Sequence, residues 1–295
     1  MRGRILSTEF VHPEFIAETD WLAQRLDDPS IRVLDCTQHL IPRPGNVYND
    51  IKSGEEDFEK GHIPGAGFID IDRDISDRSN PRLHFMLPEP EHFAQTMGRF
   101  GVGDATQVIL YSTANHWWAT RVWWMLRVFG HDRAAVLNGG FQKWTREGRT
   151  TQTGAASVRP RASFTPRYRP NLVAGKSDVL GAIDAGGVCT LNALRPEQHA
   201  GSGGVTYGRR GHIKGSINVP AMSAVDKDNV FKSADELRRL FAEALAKPRV
   251  ITYCGGGIAA SSATMILTAL GHDNVQLYDA SLAEWAADAS LPMQA

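Results

Sequence analysis

The chain contains the same unit twice. Val108-Ile109-Leu110-Tyr111-Ser112 leads into a helical stretch closed by Phe129-Gly130-His131, and Val250-Ile251-Thr252-Tyr253-Cys254 leads into another closed by Leu270-Gly271-His272. The offset is 142 at the strand (250 − 108) and 141 at the glycine (271 − 130), so the intervening segments match almost residue for residue. Gly61-His62-Ile63-Pro64-Gly65-Ala66 is answered by Gly211-His212-Ile213-Lys214-Gly215-Ser216. Likewise Asn138-Gly139-Gly140-Phe141-Gln142-Lys143-Trp144 is answered by Asp279-Ala280-Ser281-Leu282-Ala283-Glu284-Trp285. Self-similarity on this scale restricts the fold to two copies of one plan.

Within each copy, short β-branched runs such as Ile31-Arg32-Val33-Leu34 and Val250-Ile251-Thr252-Tyr253 alternate with helical patterns such as 91–100 and 234–246. Strands alternating with helices predict an α/β fold, duplicated, each copy a mainly parallel sheet with helices on both faces. Gly130 and Gly271 stand where helix C-cap glycines belong. The stretch from Arg149 to Pro170, rich in Thr, Ser, Ala, Arg and Pro, has a linker composition. The expected division is a domain over 1–148, a linker over 149–171 and a second domain over 172–295.

Thirty-two Lys and Arg balance 33 Asp and Glu, which argues against a surface built to bind nucleic acid or an anionic membrane. The N-terminal segment has no apolar run of signal-peptide length, and no later run approaches the ~20 residues of a membrane span. Three cysteines, Cys36, Cys189 and Cys254, lie far apart, without the local spacing of a structural metal site. Sparse, odd thiols predict a reducing, cytoplasmic location.

Cys254 differs from the other two. It ends a predicted strand and is followed by Gly255-Gly256-Gly257-Ile258-Ala259 at the start of a helix. Consecutive glycines let backbone N–H groups converge on one point, and the helix adds its positive dipole end. Both favour an anion at the strand end, as a cysteine nucleophile requires. The equivalent position in the first copy is Ser112, with no glycine after it, so only one copy keeps the cradle. A bulky residue at Gly256 is expected to cost activity more than stability.

Rival chemistries fit less well. A P-loop needs Gly-Lys-Ser/Thr after the glycines, and a C-x5-R phosphatase needs arginine at 260, which is alanine. Gly255-x-Gly257-x-x-Ala260 with Asp279 22 residues later (279 − 257) satisfies a dinucleotide fingerprint, yet only 16 residues follow Asp279 (295 − 279), too few for further βα units. His62 and His212 are expected to organise their own turns, with proton transfer or substrate orientation by His62 as the alternative. Trp117, Trp118, Trp123 and Trp124 crowd one helix and are expected at a core or domain interface.

The duplicated unit, the paired Gly-His-Ile-x-Gly turns and the single loop cysteine resemble the tandem-domain rhodanese family of thiosulfate and 3-mercaptopyruvate sulfurtransferases. Asp70-Ile71-Asp72, Met86-Leu87-Pro88, Arg121-Val122-Trp123-Trp124-Met125 and Tyr278-Asp279-x-Ser281-x-x-Glu284-Trp285 carry the same likeness over nearly the whole chain. The resemblance implies two tandem rhodanese-like domains, the first catalytically silent, and a Cys254 persulfide. That persulfide would pass sulfur from a small donor to a thiol, cyanide or thioredoxin-like acceptor, without metal or organic cofactor. It places Gly255, Gly256, Gly257, Ile258 and Ala259 around the substrate. The family's Asp-x-Arg appears here as Asn192-Ala193-Leu194, which leaves Arg195, Arg209 or Arg210 to supply the anion-binding charge. The loop lacks the residues that mark either donor subtype, so a catalytically weak sulfur-carrier or regulatory module is the alternative.

Overall fold

The computed structural model describes residues 10–45, 48–157 and 159–295. Residues 1–9, the segment screened for a leader, lie outside them. In the first half the strands are β1 (Ile16–Ala17), β2 (Ile31–Asp35), β3 (Gln38–Pro42), β4 (Asn49–Ser53), β5 (Gly67–Phe68), β6 (Gln107–Tyr111) and β7 (Ala134–Leu137). In the second they are β8 (Val173–Ala174), β9 (Val188–Asn192), β10 (His212–Ile213), β11 (Ile217–Asn218), β12 (Arg249–Tyr253), β13 (Val275–Tyr278) and β14 (Met293–Gln294).

The duplication is literal in the topology. One sheet runs β1-β7-β6-β2-β5 and the other β8-β13-β12-β9-β11, every neighbouring pair parallel. The central strands β6 and β12 are buried from their second residue to their last because helices cover both faces. Each half is therefore an α/β unit with a parallel sheet, as expected. The first copy adds an antiparallel ribbon, β3 with β4, after β2.

The connecting segment is not a free tether. Ala162 N–H donates to Gly98 O at 3.0 Å, and Arg167 and Arg169 N–H donate to Phe129 O and Val128 O at 2.8 Å each, so it lies along the first unit. Its prolines and small polar residues follow a surface instead of spanning a gap.

The two units meet through equivalent elements. The Trp117–Val128 helix of the first packs on the Ile258–Ala269 helix of the second. The latter begins Ile-Ala-Ala-Ser-Ser-Ala, and these small side chains let the tryptophan-bearing helix approach closely. Trp118, Trp123 and Trp124 are buried, as the sequence led one to expect, whereas Trp117 is only partly so. Thr120 and Ser261 hydroxyls bond at 2.7 Å, and His116 Nε2 lies 2.7 Å from Ser262 Oγ. Burial pushes the His116 imidazole down to about 4, so it bonds as the neutral ring.

Candidate active site

Cys254 leaves β12 at the centre of the second sheet, where parallel strands end and helices begin, the position at which open α/β folds bind ligands. It is buried yet lines a cavity of about 630 Å³ between the two units. Two loop N–H groups are committed to structure: Ser281 Oγ accepts from Cys254 N–H at 3.1 Å and Gly257 N–H at 3.2 Å, while donating to Tyr278 O at 2.7 Å. The N–H groups of Gly255, Gly256, Ile258 and Ala259 make no hydrogen bond to protein among the described residues. These four residues line the cavity beside the thiol, and their unpaired donors favour an anion there.

Each glycine has a different reason. Gly257 adopts φ +74° and lies under the loop, where an added Cβ would meet Asp279 O at 2.7 Å. It does not line the cavity; its role is to turn the chain into the helix. A Cβ on Gly255 would fall 1.9 Å from Cζ of Tyr207, whose ring covers that residue. Gly256 is open, its nearest neighbour His84 O at 3.8 Å.

The first unit supplies much of the cavity wall. Arg82 and His84 line it, with His84 Nδ1 3.9 Å from Asp72 Oδ1. The β3–β4 ribbon leans across: Tyr48 N–H donates to Thr206 O at 3.0 Å, and Tyr48 meets Tyr207 edge-on at 5.8 Å. Burial, then the neighbouring Cys254, pushes the Tyr207 phenol well up, so it remains an O–H donor. Sequence reasoning passed over His84, Arg82 and Tyr207, although the quoted strings around 70–72 and 86–88 bracket the first two.

The expected cations divide. Arg195 lines the cavity at its rim, its side chain 72% exposed. Arg209 does not reach the cavity, because its guanidinium donates to Trp285, Ala286, Asp288 and Leu291 carbonyls and thereby fastens the C-terminal turn. Arg210 joins Arg209 at a separate pocket of about 10 Å³, too small for a substrate. His62 is also elsewhere: fully buried, stacked on Phe58 at 3.8 Å and donating from Nδ1 to Phe58 O at 2.7 Å. His212 repeats the device, stacking on His199 at 3.7 Å and donating to His199 O at 2.8 Å. Both Gly-His-Ile histidines hold their own turns.

Asp279, the acidic residue of the dinucleotide fingerprint, is occupied. Its Oδ1 accepts from Arg121 Nη1 at 2.6 Å and its Oδ2 from Leu87 N–H at 2.8 Å, both from the first unit. No group of three or more His, Cys, Asp or Glu side chains placed to hold a metal occurs among the described residues, and none of their helices is long and apolar enough to cross a membrane.

Comparison with known proteins agrees with this geometry. The rhodanese-like domain family matches residues 18–147 and 181–288. The chain is 36% identical over 286 residues to the 3-mercaptopyruvate sulfurtransferase of Escherichia coli K12, covering 93% of this chain and 96% of that one. It is 33% identical over 291 residues to the sulfur carrier protein TtuD of Thermus thermophilus, covering 94% and 95%. The crystal structure of SseA from Escherichia coli superposes with a TM-score of 0.78 at 34% identity, over 90% of this chain and 98% of that one. With one domain matched in each half and relatives aligned end to end, the chain belongs to the rhodanese family in its two-domain form.

Proposed function

We propose that this sulfurtransferase works through Cys254, taking the sulfur atom of 3-mercaptopyruvate in preference to the sulfane sulfur of thiosulfate. The observation that carries the reading is a cavity-lining cysteine beside backbone donors that no protein group among the described residues uses. The Cys254 thiolate attacks the donor's sulfur, and an S–S bond forms as the donor's C–S bond breaks. The electron pair stays on the departing pyruvate carbon, which takes up a proton. His84, backed by Asp72, is the cavity's candidate to carry that proton. An acceptor thiolate then attacks the outer sulfur, and the Cys254 thiolate leaves.

Donor preference follows from charge placement. Thiosulfate is a dianion whose desolvation must be offset by fixed positive charge. Leu194 presents an apolar wall, and the cavity's arginines stand at its rim. A single carboxylate asks for less. Three unpaired thiols fit work in a reducing compartment such as the cytosol. The likeness to TtuD supports a second reading, in which the persulfide is handed to a partner protein more readily than to a small acceptor. Steady-state kinetics with both donors and a common thiol test the first reading. A clear thiosulfate preference would overturn the donor assignment, and no turnover with any small acceptor would favour the carrier.

A further inference from the structure

The wall that the first unit lends to the cavity holds a polar group with nothing to bond. Gln38 opens β3 and lines the cavity. It is 1% exposed. Apart from the thiol of Cys254 and the indole of Trp118, it is the one polar side chain of that lining to be buried among the described residues. Neither its Nε2 nor its Oε1 has a hydrogen-bond partner among them. The residues on either side are committed: Thr37 donates from its N–H and its hydroxyl to Asp35, and His39 Nε2 lies 2.7 Å from Asp57 Oδ2. A buried carboxamide without partners costs stability, because it has given up water and gained nothing in exchange. Groups of this kind collect at functional sites. Asn115, part-buried on the same wall, carries a second carboxamide with no hydrogen bond among the described residues. Arg82, His84 and Arg195 also line the cavity, but all three are exposed, and no Asp or Glu lines it to repel an anion.

We propose that Gln38 binds the carboxylate of the sulfur donor, its Nε2–H group donating to a carboxylate oxygen while the donor's sulfur meets Cys254. The inference rests on the reading of 3-mercaptopyruvate as donor and assigns the end of that molecule which does not react. The two units then divide the donor between them: the loop of the second receives the sulfur, and the wall of the first receives the carboxylate. A neutral amide makes a strong hydrogen bond to an anion yet adds no net charge. It therefore suits a monoanion and leaves the second charge of a dianion uncompensated.

The test compares 3-mercaptopyruvate with mercaptoacetone, the same molecule with a methyl in place of the carboxylate, as donors to a common thiol. In a two-step transfer through a persulfide, kcat/KM for the donor reports the first step alone. Gln38→Met keeps the size of the side chain and removes its hydrogen bonding. It should lower kcat/KM for 3-mercaptopyruvate about ten- to a hundredfold, the loss lying in KM, and lower it far less for mercaptoacetone. Gln38→Glu sets a carboxylate against a carboxylate and should bring the two donors level or invert their order. The melting temperature of Gln38→Met should hold or rise, because an unpaired buried amide has been removed. An unchanged ratio of the two donors in both variants, or an equal loss with each donor, overturns the assignment and makes Gln38 a structural residue. Intact mass of the unmodified protein after incubation with 3-mercaptopyruvate reports the persulfide separately. A missing sulfur there strikes the donor reading, whereas a gained sulfur with an unchanged ratio strikes only Gln38.

Discussion

Arg121 Nη1 lies 2.6 Å from Asp279 Oδ1 across the boundary between the two units, and the arginine is fully buried. The same guanidinium donates to Phe85 O and stacks over Trp124 at 4.7 Å. Asp279 stands two residues before Ser281, whose hydroxyl holds the Cys254 loop, so docking of the first unit and shape of the loop share one set of contacts. Removing one partner of a buried pair leaves the other charge uncompensated, at a cost of about 3–5 kcal/mol. Arg121→Met should therefore lower denaturant stability by that order. Asp279→Asn added to it should cost less than the sum of the two single changes, which a double-mutant cycle would measure.

Asp35 ends β2 with no exposure to solvent and one carboxylate oxygen unpartnered. Burial pushes its carboxyl up to about 7, against hydrogen bonds from Thr37 that lower it. The native state thus keeps a proton that the unfolded chain releases, and stability falls as pH rises from about 4 to about 7. The second unit has Asn192 at the equivalent place, where Oδ1 accepts from Leu194 N–H at 3.0 Å. Asp35→Asn should stabilise the protein by on the order of 1–3 kcal/mol at pH 8 and by little near pH 4. Thermal or urea unfolding at the two pH values checks it; an equal effect at both would contradict the burial argument.

The loop glycines should separate by function. Gly256→Val enters open space, so melting temperature should hold while sulfur transfer falls about tenfold or more, through blocked access to the backbone donors. Gly255→Val collides with the Tyr207 ring and should lose both activity and stability. Paired melting curves and rates decide between these patterns.

Adding a cation where there is room should alter donor choice. Gly256→Lys places an ammonium in the cavity and should narrow the kcat/KM gap between 3-mercaptopyruvate and thiosulfate severalfold. An unchanged ratio would mean that charge does not set the preference.

The fold was legible because the repeat doubled every signal: strands, turns and helix caps recur at one offset, and both sheets have the same order. Cys254 was legible because its glycines and strand end are local in sequence. The rest of the site was hidden by distance along the chain. Arg82, His84 and Tyr48 come from the other unit, and Tyr207 lies in a loop whose meaning appears only once it covers Gly255. Arg209 reads as a free cation until the C-terminal turn folds back and presents four carbonyls to it. The 234–246 helix divides at Phe241 into Ala234–Leu240 and Ala242–Leu245, a break the apolar spacing does not announce.

The central claim is that one thiol of three carries the sulfur. Burial and the adjacent Asp35 raise the Cys36 thiol well above its ordinary range, and burial pushes Cys189 up to about 11, whereas Cys254 alone lines the cavity. Intact and peptide mass after incubation with 3-mercaptopyruvate measures this directly in Cys36→Ser, Cys189→Ser and Cys254→Ser. The first two should gain one sulfur on the peptide holding Cys254 and turn over at near-normal rates. Cys254→Ser should gain none and lose about a thousandfold or more in rate. Sulfur found on Cys36 or Cys189, or retained transfer in Cys254→Ser, would contradict the assignment.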